Sequence, residues 1–298
     1  MNNLDPDISA SFHRDDVRAR IARRGHAINV VGVLASEEAA SRTYAEYTRK
    51  TCEEVGVRFR LLTAPKEGAA ALIGDANADP AVHGIFVYFP VFGDARDAQL
   101  KDSVTPYKDV EGLAAYWMRK LYANERFDDP QRRHKCLLPC TALAILKLLE
   151  DTEAHSGMGL PFNGQTVTIF NRSDVVGKPL AYMLANDGAK VYSFDIDGGL
   201  SIGAGGGSTE TVNRAEALGK SNVVVTGVPS RQFEKVRASE IRPGAVCINF
   251  SSVQNFDDDA KEKAGVYIPR VGPMTVAMCL RNALRLYEDH HSGAHHAA

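Results

Sequence analysis

Along the first half of the chain, apolar residues fall in short continuous runs separated by amphipathic stretches of helical period. INVVGVL (28–34), a helix pattern from Ser41 to Val55, FRLLT, a second helical stretch and GIFVYFP (84–90) follow one another. That alternation predicts βαβ units. A polar, glycine-bearing stretch, EDTEAHSGMGLPFNG, breaks the rhythm near residue 150 and reads as a linker. The rhythm then restarts with TVTIF (166–170), the helix-like KPLAYMLANDG, VYSF (191–194), NVVVTGV (222–228) and AVCINF (245–250). Strands apolar at nearly every position belong in a parallel sheet covered on both faces. An amphipathic helix, VAMCLRNALRLYEDH, follows RVGPMT and has an apolar face free to pack on either half. The expected fold is α/β, with two α/β domains of which the second is a Rossmann-type unit.

One biased segment, GGLSIGAGGGSTE (198–210), carries Gly203 and Gly205 in a spacing that suggests a phosphate loop. A phosphate cradle needs a strand ending at its first glycine and a helix starting at its last. Neither is evident, so a flexible insertion is expected. The Arg-rich HRDDVRARIARRG reads as a solvated helix face.

Composition narrows the function classes. The 298 residues are 44% hydrophobic and carry a net charge of −2, enough apolar content for two cores and no global basic field to gather nucleic acid or anionic lipid. No stretch approaches the ~18 apolar residues of a membrane span, and MNNLDPDISASFHRDD has neither a signal core nor a transit pattern. A cytoplasmic protein without nucleic-acid or membrane partners is expected. Cys52, Cys136, Cys140, Cys247 and Cys279 are scattered and form no C-x-x-C pair, which argues against a disulfide framework or a zinc site. Four of the nine histidines sit in HHSGAHH, read as a frayed end, so no metal is expected.

The candidate chemistry begins at Asn171-Arg172-Ser173-Asp174-Val175-Val176-Gly177-Lys178-Pro179, between the strand TVTIF and the helix after it. A helix N-terminus there offers unpaired N–H groups and a positive dipole end to a pyrophosphate, Gly177 allows close approach, and Pro179 suits a first helical turn. The next strand ends at Asp195, with Asp197 two residues on, where a carboxylate accepts hydrogen bonds from an adenosine ribose. Either acid favours NAD. A carboxylate about 4 Å from a ribose 2′-phosphate is repelled by roughly 4 kcal/mol per charge pair at an effective dielectric near 20. Arg172 cuts the other way, since it can pair with that phosphate, and an Asp at a strand end can also be a simple turn former. Thr226-Gly227-Val228 ends the next apolar run, at the carboxyl edge where α/β sheets bind ligands, and is assigned to the nicotinamide side.

Six segments in order, SRTYAEYTRKTCEEVGV, GIFVYFPVFG, PYKDVEGL, LLPCTALAILKLLE, FNRSDVVGKPLAYMLANDGAKV and RVGPMTVAMCLRNAL, make the chain resemble the methylenetetrahydrofolate dehydrogenase/cyclohydrolase family across nearly its whole length, and most of all its fungal-type, monofunctional NAD-dependent branch. The resemblance implies two domains flanking a cleft: a folate domain over 1–150, an NAD domain over 151–272, and a last helix, 273–290, returning to the first. It also implies a homodimer through the cofactor domain. Tyr44 matches the tyrosine that lies against the folate, and Glu111 stands at the pterin-binding Asp, one methylene longer. Pro90 and Pro273 are implied at the substrate, Gly272 and Thr275 at the cofactor. Asn171 replaces a family glycine and is expected to tolerate left-handed backbone.

Two departures coincide. Bifunctional relatives carry Lys where this chain has Thr48, one helical turn from Tyr44, and its partner Gln where this chain has Tyr88. Hydride transfer needs held geometry rather than a strong base, whereas hydrolysis of the methenyl product needs activated water. The expectation is therefore NAD-dependent oxidation of methylenetetrahydrofolate without cyclohydrolase activity. A bifunctional enzyme, a non-catalytic folate- or NAD-binding module and a dehydrogenase for an amino acid or shikimate-like substrate are the rivals. Tyr44 and Tyr88 also have a plain reading as packing, and Glu111 as a solvated charge.

Overall fold

The computed structural model describes residues 2–36, 39–155, 159–203 and 210–292. The elements run β1 (Asn2–Asn3), α1 (Pro6–Arg24), β2 (Asn29–Leu34), α2 (Ala39–Glu54), β3 (Arg58–Thr63), α3 (Ala69–Ala78), β4 (Gly84–Val87), α4 (Arg96–Ser103), α5 (Ala115–Tyr122) and α6 (Cys140–Glu150). They continue with β5 (Thr166–Phe170), α7 (Gly177–Asn186), β6 (Lys190–Asp195), β7 (Gly198–Ile202), β8 (Thr211–Val212), α8 (Arg214–Lys220), β9 (Val223–Thr226), β10 (Val246–Asn249), α9 (Asp258–Lys263), β11 (Val266–Ile268) and α10 (Gly272–Leu286).

Two units result. A large-sheet unit gathers Met1–Ala10, Leu121–Arg126 and Thr141–Thr275, and a small-sheet unit gathers Ser11–Lys120, Phe127–Cys140 and Val276–Ala298. The division is thus not a single cut near residue 150. The N-terminal residues join the large sheet because β1 pairs in parallel with β11, and Leu121–Arg126 follow because the Leu121 carbonyl accepts from Asn186 and Arg126 donates to Asp187. The segment read as a linker is anchored at Phe162, which is fully buried and whose N–H donates to the Asp187 carbonyl. Residues 156–158 of it lie outside the described residues.

In the small-sheet unit the order is β3-β2-β4, all parallel. Side chains alternate across the sheet. Val31, Val33, Ile85 and Val87 pack with Ala69 and Ile73 of α3 in one core cluster. Phe86 and Tyr88, of the opposite parity, lie in ring contact with each other and with Tyr44 of α2.

In the large-sheet unit the order is β1-β11-β10-β9-β5-β6-β7-β8. From β1 to β6 the strands are parallel, but β6–β7 and β7–β8 are antiparallel. This corrects the reading of 198–210 as an insertion without structure: β7 returns along β6 after the two-residue turn Ile196–Asp197, with Asp195 opposite Gly198. Residues 204–209, Gly205 among them, lie outside the described residues. Because β6 lies on one side of β5 and β9 on the other, the chain reverses direction of growth at β5, and ligands of such sheets bind outside the carboxyl ends of the strands at that point.

Candidate active site

The small-sheet unit builds its site around one loop. Asp109 is buried, and its carboxylate accepts from the N–H groups of Glu111 (3.1 Å), Gly112 (3.0 Å) and Ala114 (2.8 Å). Gly112 sits at φ +69°, and a Cβ there would lie 2.7 Å from the Leu138 carbonyl oxygen, so the tight path after Glu111 requires glycine. Two further anchors hold this loop. The Lys108 ammonium donates to the carbonyls of Ala76, Asn77 and Asp79 at the end of α3, and Asn282 of α10 donates to the carbonyls of Val110 and Leu138.

So held, the Glu111 carboxylate accepts from the Val87 N–H at 2.9 Å, beside Tyr44, Tyr88, Cys140 and Cys279. Burial pushes its pKa up from 4.5 to about 8 against the Val87 hydrogen bond, with Asp109 adding to the rise. Asp109 is itself pushed up by burial, to about 6, against its backbone donors. Glu111 is thus a part-buried, hydrogen-bonded carboxylate rather than a freely solvated one. A ligand edge rich in N–H donors would draw it into its ionised form.

These shifts have a measurable consequence. Between about pH 4.5 and 8 the folded protein binds more protons at Glu111 than the unfolded chain does, so its contribution to stability falls as pH rises through that window. Asp109 acts with the same sign over the lower part, from 3.8 to about 6. The Tm of the ligand-free protein should drop from pH 5 to pH 8, and Glu111→Gln, which cannot ionise, should flatten the upper part of the drop. A variant curve parallel to wild type would contradict the shift.

Thr48 and Tyr44 share a face of α2, as the spacing predicts. The Thr48 hydroxyl donates to the Tyr44 carbonyl (2.9 Å), and Arg49 and Lys50 pair with acids of their own helix. Tyr88 is 4% exposed, and its phenolic oxygen makes no hydrogen bond of ordinary geometry among the described residues. Burial raises its pKa, opposed only by the nearby Thr48 hydroxyl. Pro90 is exposed in a groove of about 1220 Å³ at the carboxyl end of the small sheet, lined also by Arg42, Glu46, Lys66 and Phe92.

In the large-sheet unit, Asn171 follows β5 and organises the next loop. Its Oδ1 accepts from Ser173 N–H (3.0 Å), the Ser173 hydroxyl (2.6 Å) and Gly177 N–H (3.2 Å), while its Nδ2 donates to the Gly227 carbonyl (3.0 Å) after β9. One side chain thus spans the point where β6 and β9 diverge. Its role differs from the expected left-handed one: Asn124 and Arg132 are the non-glycine residues at positive φ among those described. The expectation of unpaired N–H groups also needs correction. Val176 N–H donates to the Ser173 hydroxyl, Gly177 to Asn171 and Lys178 to the Ser173 carbonyl, leaving Asp174 and Val175 with N–H groups unbonded among the described residues. Pro179 is the third residue of α7 and lies in its first turn, as expected.

Gly177 is needed for packing inside the loop, since a Cβ there would lie 1.8 Å from the Asn171 carbonyl oxygen. Asp195 ends β6 as expected; both it and Asp197 are exposed, and neither joins an ion pair among the described residues. Thr226 is buried and donates to Ile248 O and Asn249 Oδ1; Gly227 N–H donates to Phe170 O, and Val228 N–H to Asn255 Oδ1. Asn249 and Asn255, absent from the sequence reading, are both buried and brace this edge. Asn249 is the polar interruption of the apolar run AVCINF, and Asn255 follows shortly after that run. Gly272 and Pro273 open α10, and Thr275 is buried with its N–H on the Val271 carbonyl. The edge suits a dinucleotide: free loop N–H groups, a strand-end carboxylate and a braced carboxyl edge.

All five cysteines are buried and free, and among the described residues no cluster of His, Cys, Asp and Glu is arranged to hold a metal. His290 and His291 are not frayed. They belong to a π-helical turn, Tyr287–His291, with His290 against the Tyr107 ring and His291 hydrogen-bonded to the Tyr107 carbonyl. His295 and His296 lie outside the described residues.

Comparison with known proteins shows the family. Residues 4–111 match the model of the tetrahydrofolate dehydrogenase/cyclohydrolase catalytic domain, and residues 139–291 that of its NAD(P)-binding domain. The chain is 44% identical over 269 residues to a methylenetetrahydrofolate dehydrogenase [NAD(+)] of Schizosaccharomyces pombe, covering 86% of this chain and 84% of that one. It is 40% identical over 290 residues to the enzyme of the same name from Dictyostelium discoideum, covering 94% and 92%. The solved structure of the NAD-dependent 5,10-methylenetetrahydrofolate dehydrogenase from Saccharomyces cerevisiae superposes with a TM-score of 0.91 at 38% identity over 97% of each chain. The chain belongs to the tetrahydrofolate dehydrogenase/cyclohydrolase family.

Proposed function

We propose that this protein is an NAD-dependent 5,10-methylenetetrahydrofolate dehydrogenase that releases the methenyl product without hydrolysing it. The observation that carries the reading is the paired substitution on one face of the small sheet: Thr48, its hydroxyl spent on the Tyr44 carbonyl, and Tyr88, its oxygen buried, stand where bifunctional members hold a lysine and its glutamine partner. The similarity to enzymes named for NAD supports the cofactor.

NAD, when bound, supplies a hydride acceptor at nicotinamide C4. The substrate's hydride leaves the carbon between N5 and N10, whose lone pairs stabilise the cation that remains, so no proton moves in that step. The chain's residues therefore bind and orient. Glu111 accepts from the pterin's amino and N3–H donors, Tyr44 lies against the folate, and Pro90 and Pro273 border it. At the large sheet, the loop Asn171–Pro179 receives the pyrophosphate, Asp195 or Asp197 the adenosine ribose, and Thr226, Gly227, Val228, Gly272 and Thr275 the nicotinamide side. Thr48 has no charge and no useful basicity at neutral pH, which leaves water at the methenyl carbon unactivated. The active form is a cytoplasmic homodimer joined through the large-sheet units; among the described residues no helix is long and apolar enough to cross a membrane.

Initial rates of NADH formation from methylenetetrahydrofolate test the reading. Saturable, folate-dependent NADH production is expected, with kcat/KM for NAD above that for NADP. Absence of turnover, or an equal or better value with NADP, would overturn it.

A further inference from the structure

Arg172 follows β5 in the cofactor loop, a place from which a guanidinium can meet a ribose phosphate. Its bonds point elsewhere. Nη2 donates to the Ser193 carbonyl (2.5 Å) and to the Gly198 carbonyl (2.7 Å), and Nε leans on the Ser193 hydroxyl (3.3 Å). Ser193 is a fully buried residue of β6, and Gly198 is the first residue of β7, so the guanidinium ties together the two arms of one hairpin. A guanidinium grips a phosphate through one of two forked edges, Nε with Nη2 or Nη1 with Nη2. Both edges contain Nη2, and both of its hydrogens are committed to backbone carbonyls. No forked edge remains.

The turn closed by this tie is Ile196–Asp197, flanked by Asp195, whose carboxylate accepts from the Ile196 N–H at 2.8 Å. The cation is thus turned inward onto main chain while two carboxylates stay at the tip. We infer that Arg172 is a positioning residue for cofactor selectivity: by bracing the β6–β7 hairpin it sets the acidic tip for an unphosphorylated ribose and withholds its own guanidinium from a phosphorylated one. The inference rests on the NAD reading above. It also gives β7 a role, since the Gly198 carbonyl is one of the groups that occupies the arginine.

The full-length enzyme tests it through two adenosine probes, 5′-AMP and adenosine 2′,5′-bisphosphate, measured as inhibitors competing with NAD in wild type, Arg172→Ala and Arg172→Lys. Lysine keeps a cation for a phosphate, but its ammonium ends one atom short of Nη2 and it has no Nε donor for the Ser193 hydroxyl. In both variants KM for NAD and the inhibition constant of 5′-AMP should rise about tenfold with kcat little changed, while the bisphosphate gains relative to 5′-AMP. Selective loss of bisphosphate inhibition in Arg172→Ala, with NAD and 5′-AMP unaffected, would make Arg172 a phosphate ligand and overturn the inference. So would variants indistinguishable from wild type. Wild-type preference for NADP would instead defeat the NAD reading, and it is read from turnover rather than from the inhibitor ratio.

Discussion

Gly177→Ala should raise KM for NAD by on the order of a hundredfold, an effect out of proportion to one methyl group. The added Cβ would stand 1.8 Å from the Asn171 carbonyl oxygen, 2.4 Å from its carbon and 2.6 Å from its Oδ1. None of these can yield cheaply. The carbonyl belongs to the main chain leaving β5, and Oδ1 is the acceptor for Ser173 and Gly177 N–H groups, while Nδ2 holds the Gly227 carbonyl. Overpacking of a rigid site costs about 1–3 kcal/mol and occasionally more, and about 3 kcal/mol corresponds to roughly a hundredfold. Folate affinity measured without NAD should change little. A variant with wild-type KM for NAD would show that the loop is not the cofactor site.

Glu111→Gln should lower kcat/KM for the folate roughly ten- to hundredfold with little effect on KM for NAD. The amide can still accept from the Val87 N–H, so the loop on Asp109 should survive. What it loses is a second acceptor oxygen and the charge that the pterin's donors would stabilise. Hydrogen bonds to charged groups contribute about 1.5–3 kcal/mol, which sets the range. The loss should grow as pH rises, because more of wild-type Glu111 ionises on approaching its pKa of about 8. Unchanged folate kinetics would remove Glu111 from the site.

Much of this architecture is legible in the residues. Continuous apolar strands announce the parallel sheets, and the i, i+4 spacing of Tyr44 and Thr48 places them together on α2. What is not legible depends on side-chain-to-backbone bonds between distant segments. Asn171 reads as a conformationally tolerant substitute for glycine, yet its work is done by an amide reaching Gly227, 56 residues on. Asp109 is visible in KDVEGL but not as the acceptor of three loop N–H groups. Arg172 reads from sequence as a partner for a ribose phosphate, and only β7, hidden in a glycine-rich segment without clear periodicity, turns it onto main chain instead. The same pairing logic explains β1: two residues carry no hydrophobic signal, and their register with β11 alone makes them a strand.

The fate of the methenyl product separates a dehydrogenase from a dehydrogenase/cyclohydrolase. With methylenetetrahydrofolate and excess NAD, NADH and methenyltetrahydrofolate should appear in equal amounts, followed by methenyl decay at the uncatalysed rate whatever the enzyme concentration. Loss of the methenyl absorbance band at a rate proportional to enzyme would contradict this, and would mean that Thr48 and Tyr88 do not disable hydrolysis.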